Sequence, residues 1–167
     1  MISKSAVFLD RDGVINIDKG YVYRIDDFEW IDGAKEAIKY LKDKNYLVFV
    51  ATNQSGITRG YYKESDVEIL HDFIRAELRK IKAGIDEFFY SPYHPDILNK
   101  KYNNLKNLRK PDIGMLKLAE KKWKFNKNNS YMIGDSASDM ECANNFGIKG
   151  LLFEHGNLHH FVKKNIF

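Results

Sequence analysis

A doubly wound α/β fold built on a parallel sheet is predicted by three features of this chain of 167 residues. Short apolar runs at 6–9, 46–51, 86–90, 131–133 and 150–153 are continuous rather than alternating, as strands buried on both faces require. Between them lie stretches with apolar residues at every third or fourth position, the spacing of a helix with one buried stripe. Acidic and polar residues gather just beyond the runs, and ligands of open α/β sheets bind beyond the carboxyl ends of the strands.

The elements follow in order. Ala6 to Leu9 forms the first run and ends in Asp10 and Asp12. A stripe of Ala34, Ala37, Ile38 and Leu41 predicts a helix leading to the run at 46–51. Val67, Leu70, Phe73, Ile74, Leu78 and Ile81 predict a second helix before 86–90, and Leu116, Ala119 and Trp123 a third before 131–133. Met140, Ala143 and Gly147 mark a fourth, with Gly147 as its left-handed stop. Segments 13–32 and 91–111 carry neither period and are long for connections, which marks them as functional loops. Neither is long enough for a large cap domain. With no solenoid repeat and no low-complexity stretch, one domain over 1–167 is expected.

Composition narrows the class. At 44% hydrophobic, 14% aromatic and 30% charged residues, with three prolines, the chain is globular rather than disordered. Its one cysteine, Cys142, excludes an internal disulfide and a thiolate zinc cage and fits a reducing compartment. No apolar run approaches the ~18 residues of a membrane span, and Met1 to Lys4 leaves no room for a signal peptide before the first run. A soluble cytoplasmic protein without a membrane partner is expected. The net charge of +4 is uneven, because 96–127 holds ten Lys and Arg against three acids. Such an excess favours a phosphorylated partner but also suits a solvated helix face.

The chemistry lies at the strand ends. In Asp10-Arg11-Asp12-Gly13 the alternation of an extended chain turns both carboxylates to one side and Arg11 to the other. Two converging carboxylates repel unless a cation or a proton task offsets them. The second run leads into Thr52-Asn53-Gln54-Ser55-Gly56, Arg109-Lys110 precedes Pro111, and the fourth run ends in Gly134-Asp135-Ser136 with Asp139 close behind. Each piece alone suits a turn, a helix cap or a solvated pair. Acid pair, hydroxyl, lysine and acid pair in that order, at successive strand ends, point to one phosphate-handling site.

The stretches Phe8-Leu-Asp-Arg-Asp-Gly-Val-Ile-Asn16, Gly20-Tyr-Val-Tyr-Arg-Ile-Asp-Asp-Phe-Glu-Trp-Ile-Asp-Gly33, Thr52-Asn-Gln-Ser-Gly-Ile-Thr-Arg-Gly60, Arg109-Lys-Pro111 and Tyr131-Met-Ile-Gly-Asp135 carry a family resemblance. The chain resembles haloacid dehalogenase-type (HAD) phosphohydrolases, and within them the D-glycero-D-manno-heptose 1,7-bisphosphate 7-phosphatase and histidinol-phosphatase subfamily. The resemblance implies a HAD-like, Rossmann-like fold and a Mg²⁺-dependent phosphomonoesterase. It implies Asp10 as nucleophile, Asp12 as acid and base, and Thr52 and Lys110 as holders of the phosphoryl oxygens. Asp10, the Asp12 carbonyl and Asp135 would hold Mg²⁺. Asp18, Lys19, Gly20, Tyr21 and Arg109 would contact the rest of the substrate, Asn53, Gln54 and Ser55 the phosphate surroundings, and Ser136 the metal-side edge.

The subfamily's zinc ligands precede its Arg-Lys-Pro. Here those positions read Ser91, Tyr93, Lys106 and Leu108, so no zinc is expected. An apolar cluster of Tyr93, Ile97, Leu98, Tyr102, Leu105 and Leu108 is expected to order the loop instead, with His94 solvated. The implied activity is removal of the C7 phosphate of a heptose bisphosphate during nucleotide-heptose synthesis for surface glycans. The implied partner is a small phosphorylated sugar, not nucleic acid, and the enzyme is expected to be a monomer. Histidinol-phosphate phosphatase, polynucleotide 3′-phosphatase and an inactive phosphate-binding scaffold stay open as alternatives.

Overall fold

Side chains alternate across a strand, so each apolar run must supply two faces, and it does. β1 (Ala6–Leu9) sends Val7 and Leu9 into one core and Ala6 and Phe8 into another, and all four are fully buried. The computed structural model describes residues 4–167; residues 1–3, where the expected leaderless start falls, lie outside them. Around β1 stand β2 (Leu47–Asn53), β3 (Glu87–Ser91), β4 (Tyr131–Gly134) and β5 (Lys149–Leu152), all parallel, in the spatial order β3-β2-β1-β4-β5. The chain leaves β1 toward β2 and returns to its other side with β4. The switch point therefore lies at the carboxyl end of β1.

Helices cover both faces. α1 (Ala34–Asp43), α2 (Glu64–Arg79) and α5 (Leu158–Ile166) pack on the Val7 and Leu9 side, while α3 (Gly114–Trp123) and α4 (Ala137–Phe146) pack on the Phe8 side. Gly147 ends α4 at φ 88°, the left-handed stop expected of it. α5 is an element beyond those expected, with Leu158 and Val162 one helical turn apart on its buried stripe. Strands and helices otherwise shift by a few residues at their ends. β2 runs through Thr52 and Asn53, which pair with Tyr90 and Ser91. No helix among the described residues is long and apolar enough to cross a membrane, and no large cap domain stands over the carboxyl edge of the sheet.

The loop before Lys110 is ordered differently from the expectation. Tyr102 is buried with Ile57, Tyr62 and Val67, and Leu105 packs on that cluster, but Leu108 joins the separate core on the Phe8 side and Leu98 is 88% exposed. His94 is half-buried rather than solvated, its Nδ1 accepting from the Asp96 N–H at 3.1 Å. The polar centre is Glu64 at the start of α2. Its carboxylate accepts from Tyr90 Oη at 3.0 Å, Lys101 Nζ at 3.1 Å and Tyr102 Oη at 3.2 Å, tying strand, loop and helix together. Burial alone would raise its pKa, but the bonds from Lys101, Tyr90 and Tyr102 outweigh that and hold it below the ordinary carboxyl value.

Glu64→Ala should cost about 1–2 kcal/mol of stability and speed amide exchange across 92–109 while leaving the sheet protected. Elemental analysis of the purified wild-type protein should find no stoichiometric zinc. Unchanged exchange in that segment would show that Glu64 is not its clasp.

Candidate active site

The end of β1 carries the first acid. The Asp10 N–H donates to the Ile133 carbonyl at 3.0 Å, which holds Asp10 beside β4, and its carboxylate accepts from the Arg11 N–H at 2.8 Å. The chain then turns tightly, with the N–H groups of Val14, Ile15 and Asn16 all donating to the Arg11 carbonyl. Gly13 stands at φ +89°, and a Cβ there would lie 2.0 Å from Asp135 Oδ2. Glycine is thus what lets the β4 acid approach the β1 turn.

Lys110 arrives from the loop and is clamped by β2. Its N–H donates to Asn53 Oδ1 at 3.0 Å, and Asn53 Nδ2 donates back to its carbonyl at 3.1 Å. Lys110 is 3% exposed, and its ammonium lies 2.6 Å from Asp139 Oδ1, 2.7 Å from the Ala51 carbonyl and 3.1 Å from Asp10 Oδ1. Burial would lower its pKa, but Asp10 and Asp139 push it up to about 12, so the cation is secure. Asp139, fully buried, also accepts from the Ser136 hydroxyl and N–H at 2.8 and 3.2 Å in a capping box of α4.

Asp12 is held by three side chains, all of them donors. Asn16 Nδ2 and Gln54 Nε2 reach it at 3.0 and 2.9 Å, and Arg11 Nη2 reaches both oxygens at 3.1 and 3.2 Å. Gln54 also donates to Thr52 Oγ1 at 2.8 Å and accepts from Tyr62 Oη at 2.5 Å.

A cleft of about 350 Å³ opens over these groups. Of the residues singled out in the sequence, Asp10, Asp12, Asp18, Gly20, Tyr21, Asn53, Gln54, Ser55, Lys110, Asp135 and Ser136 line it. Three stand off its wall. Lys19 pairs with Glu29 at 2.9 Å, Thr52 is buried with its hydroxyl accepting from Gln54, and Arg109 donates to the Tyr93 carbonyl at 3.3 Å. Tyr62 and Ser138, which no motif marked, line the cleft, and Asn16 and Asp139 support it. The Ser136-x-x-Asp139 capping box was legible in the sequence, and Asn16 closes the first of the quoted stretches; Tyr62 carries no local signal.

The carboxylates of Asp10, Asp135 and Asp139 place oxygens within 4.8 Å of one another. Burial pushes Asp10 up to about 7, with Asp139 and Asp12 adding to it against the pull of Lys110; burial and Asp139 likewise raise Asp135. Converging oxygens strained toward protonation fit a hard divalent cation such as Mg²⁺.

A family model described as "HAD-hyrolase-like" matches residues 107–161. The chain is 46% identical over 147 residues to D-glycero-alpha-D-manno-heptose-1,7-bisphosphate 7-phosphatase of Campylobacter jejuni, covering 88% of this chain and 80% of that one. It is 40% identical over 141 residues to D-glycero-beta-D-manno-heptose-1,7-bisphosphate 7-phosphatase of Escherichia coli K12, covering 84% and 74%. Its fold is similar to D,D-heptose 1,7-bisphosphate phosphatase of B. bronchiseptica, solved with magnesium and phosphate, at a TM-score of 0.81 and 28% identity over 96% of this chain and 87% of that one.

The Asp10 shift sets a pH dependence. An acid raised from 3.8 to about 7 keeps its proton in the folded state while the unfolded chain releases it. The stability of the metal-free protein should therefore fall as pH rises through that window. Thermal unfolding in chelator should show the fall, Mg²⁺ should suppress it, and Asp10→Asn should flatten it. A wild-type profile identical with and without Mg²⁺ would exclude Asp10 from the cation site.

Proposed function

The chain belongs to the heptose-bisphosphate phosphatase family of HAD-type phosphohydrolases, and from that premise we propose that it removes the C7 phosphate of D-glycero-D-manno-heptose 1,7-bisphosphate. The observation that carries the proposal is the pairing of Asp10, beside a buried lysine, with Asp12, braced only by donors, on one cleft wall.

Asp10 attacks phosphorus in line and the sugar oxygen departs, leaving an aspartyl-phosphate. Asp12 gives its proton to that oxygen and then takes one from the water that hydrolyses the acyl phosphate, which returns both groups to their starting states. Lys110 neutralises negative charge beside Asp10, and Thr52, once a phosphoryl oxygen draws its hydroxyl proton, joins it. Mg²⁺, held by Asp10, the Asp12 carbonyl and Asp135, would supply charge neutralisation between nucleophile and phosphate. Asp18, Gly20 and Tyr21 on one side and Asn53, Gln54 and Ser55 on the other frame the sugar, with Lys19 and Arg109 at the margin and Ser136 at the metal edge. The reading takes 1–167 as one monomeric domain. A doubly phosphorylated sugar does not cross a bilayer, so the enzyme works in the cytoplasm, where nucleotide-heptose precursors of surface glycans are made.

Phosphate release from heptose bisphosphate, histidinol phosphate and a 3′-phosphorylated oligonucleotide, with and without Mg²⁺, tests this reading. Heptose bisphosphate should be strongly preferred and chelation should abolish turnover. Asp10→Asn and Asp12→Asn should each lower kcat by at least about 10³-fold with the fold intact. Preference for another ester would replace the substrate, and near-normal turnover by Asp10→Asn would end the covalent mechanism.

Arg109 bears on the second phosphate. Burial and the neighbouring Arg59 lower its pKa against the pull of Asp96, and its Nη1 donates to the Tyr93 carbonyl at the margin of the cleft. Arg109→Ala should lower kcat/KM about tenfold more for the bisphosphate than for a heptose monophosphate. Equal losses would remove it from substrate recognition.

A further inference from the structure

We propose that His71, on α2 and outside the cleft, is a positioning residue that acts through Arg11 to hold Asp12 in its acid–base geometry. The proposal deepens the reading of Asp12 given above and rests on it.

The Arg11 side chain is completely buried. A buried guanidinium is costly unless its donors are met. Its Nε has no hydrogen-bond partner among the described residues, so its orientation rests on the two terminal nitrogens. Nη2 turns back to both oxygens of Asp12 and also donates to the Val22 carbonyl. Nη1 lies 3.3 Å from His71 Nε2. One side chain thus joins the acid–base carboxylate to the end of the segment whose Asp18, Gly20 and Tyr21 line the cleft.

His71 is built to accept. It is 2% exposed, on the buried stripe of α2 between Leu70 and Ile74, where a leucine would be the cheaper occupant. Its ring stacks on Phe88 at 4.3 Å and 24°, which fixes the ring plane from β3, and the Arg75 guanidinium lies over the same Phe88 ring at 4.5 Å. Burial, Arg11 and Arg75 together push its pKa well below the ordinary value. The neutral ring therefore presents a lone pair to Arg11. The bond it makes goes to the guanidinium that holds Asp12.

The consequence is specific to proton transfer. Asp12 must protonate a sugar oxygen, but p-nitrophenolate leaves without a proton, so the first turnover on p-nitrophenyl phosphate does not need it. His71→Phe keeps a ring for Phe88 and removes the acceptor. It should lower kcat on heptose bisphosphate about tenfold with KM within about twofold, while the donor left unpaired on Arg11 lowers the melting temperature by about 2–8 °C. First-turnover release of p-nitrophenolate should change by less than about twofold, and His71→Gln, which restores an acceptor, should recover most of the loss. If His71→Phe does not fold, His71→Asn replaces it, since the shorter amide falls short of Arg11 while Gln reaches it. Equal losses on both esters, no loss on either, or no recovery by Gln would overturn the proposal. A wild-type enzyme that ignores heptose bisphosphate but hydrolyses another alkyl phosphate would fail the substrate reading alone, and the comparison then runs on that ester. A wild-type protein inert on every ester would overturn both.

Discussion

Everything at the site is arranged around one buried ammonium. Lys110 sits between Asp10 and Asp139, with the Ala51 carbonyl as its third partner. Ionised groups are taken out of water there, and removing one partner from such a cluster costs about 3–5 kcal/mol. That constraint reaches outward. Asn53 must clamp the Lys110 backbone to β2, α4 must begin with the Ser136 and Asp139 box, and the turn after β1 must carry glycine so that Asp135 can close in.

Charge is left unbalanced around Lys110. Lys110 offers one positive charge to Asp10, Asp135 and Asp139, and burial, with Asp139 and Asp12 adding to it, leaves Asp10 pushed up to about 7. A carboxylate in that state is a poor nucleophile until a cation or a substrate-bound metal draws it back toward ionisation. Asp12 is held instead by side chains, with Arg11, Asn16 and Gln54 each donating to its carboxylate. Two aspartates two residues apart thus meet different surroundings, the condition for separate roles in one reaction.

The loop that delivers Lys110 is held by a polar clasp and by apolar packing. At the positions where the resemblance implied zinc ligands, this chain has Ser91, Tyr93, Lys106 and Leu108. Glu64 gathers Tyr90, Lys101 and Tyr102, and the buried ring of Tyr102 supplies the apolar part. Apolar content in the loop was visible in the sequence. Its division between two clusters, with Leu98 left in solvent, was not, because hydrophobicity along a loop carries no period to say which way each side chain turns.

Local backbone geometry determines what the sequence by itself could say. The β runs, the helical stripes of α1 to α4, the Gly147 stop and the acids at the ends of β1 and β4 follow from periods of two and 3.6 and from the conformational range of single residues. Partnerships between distant residues were decided only by the tertiary structure. Asn53 meets Lys110 across 57 positions and Arg11 meets His71 across 60, and no local rule selects either pair. The same holds for the Thr52 hydroxyl facing Gln54, for Lys19 drawn to Glu29, and for α5, whose short stripe gains meaning only when α1 lies beside it. A buried polar group must find its partner wherever packing brings one within about 3 Å, and that distance exists only once the sheet has formed.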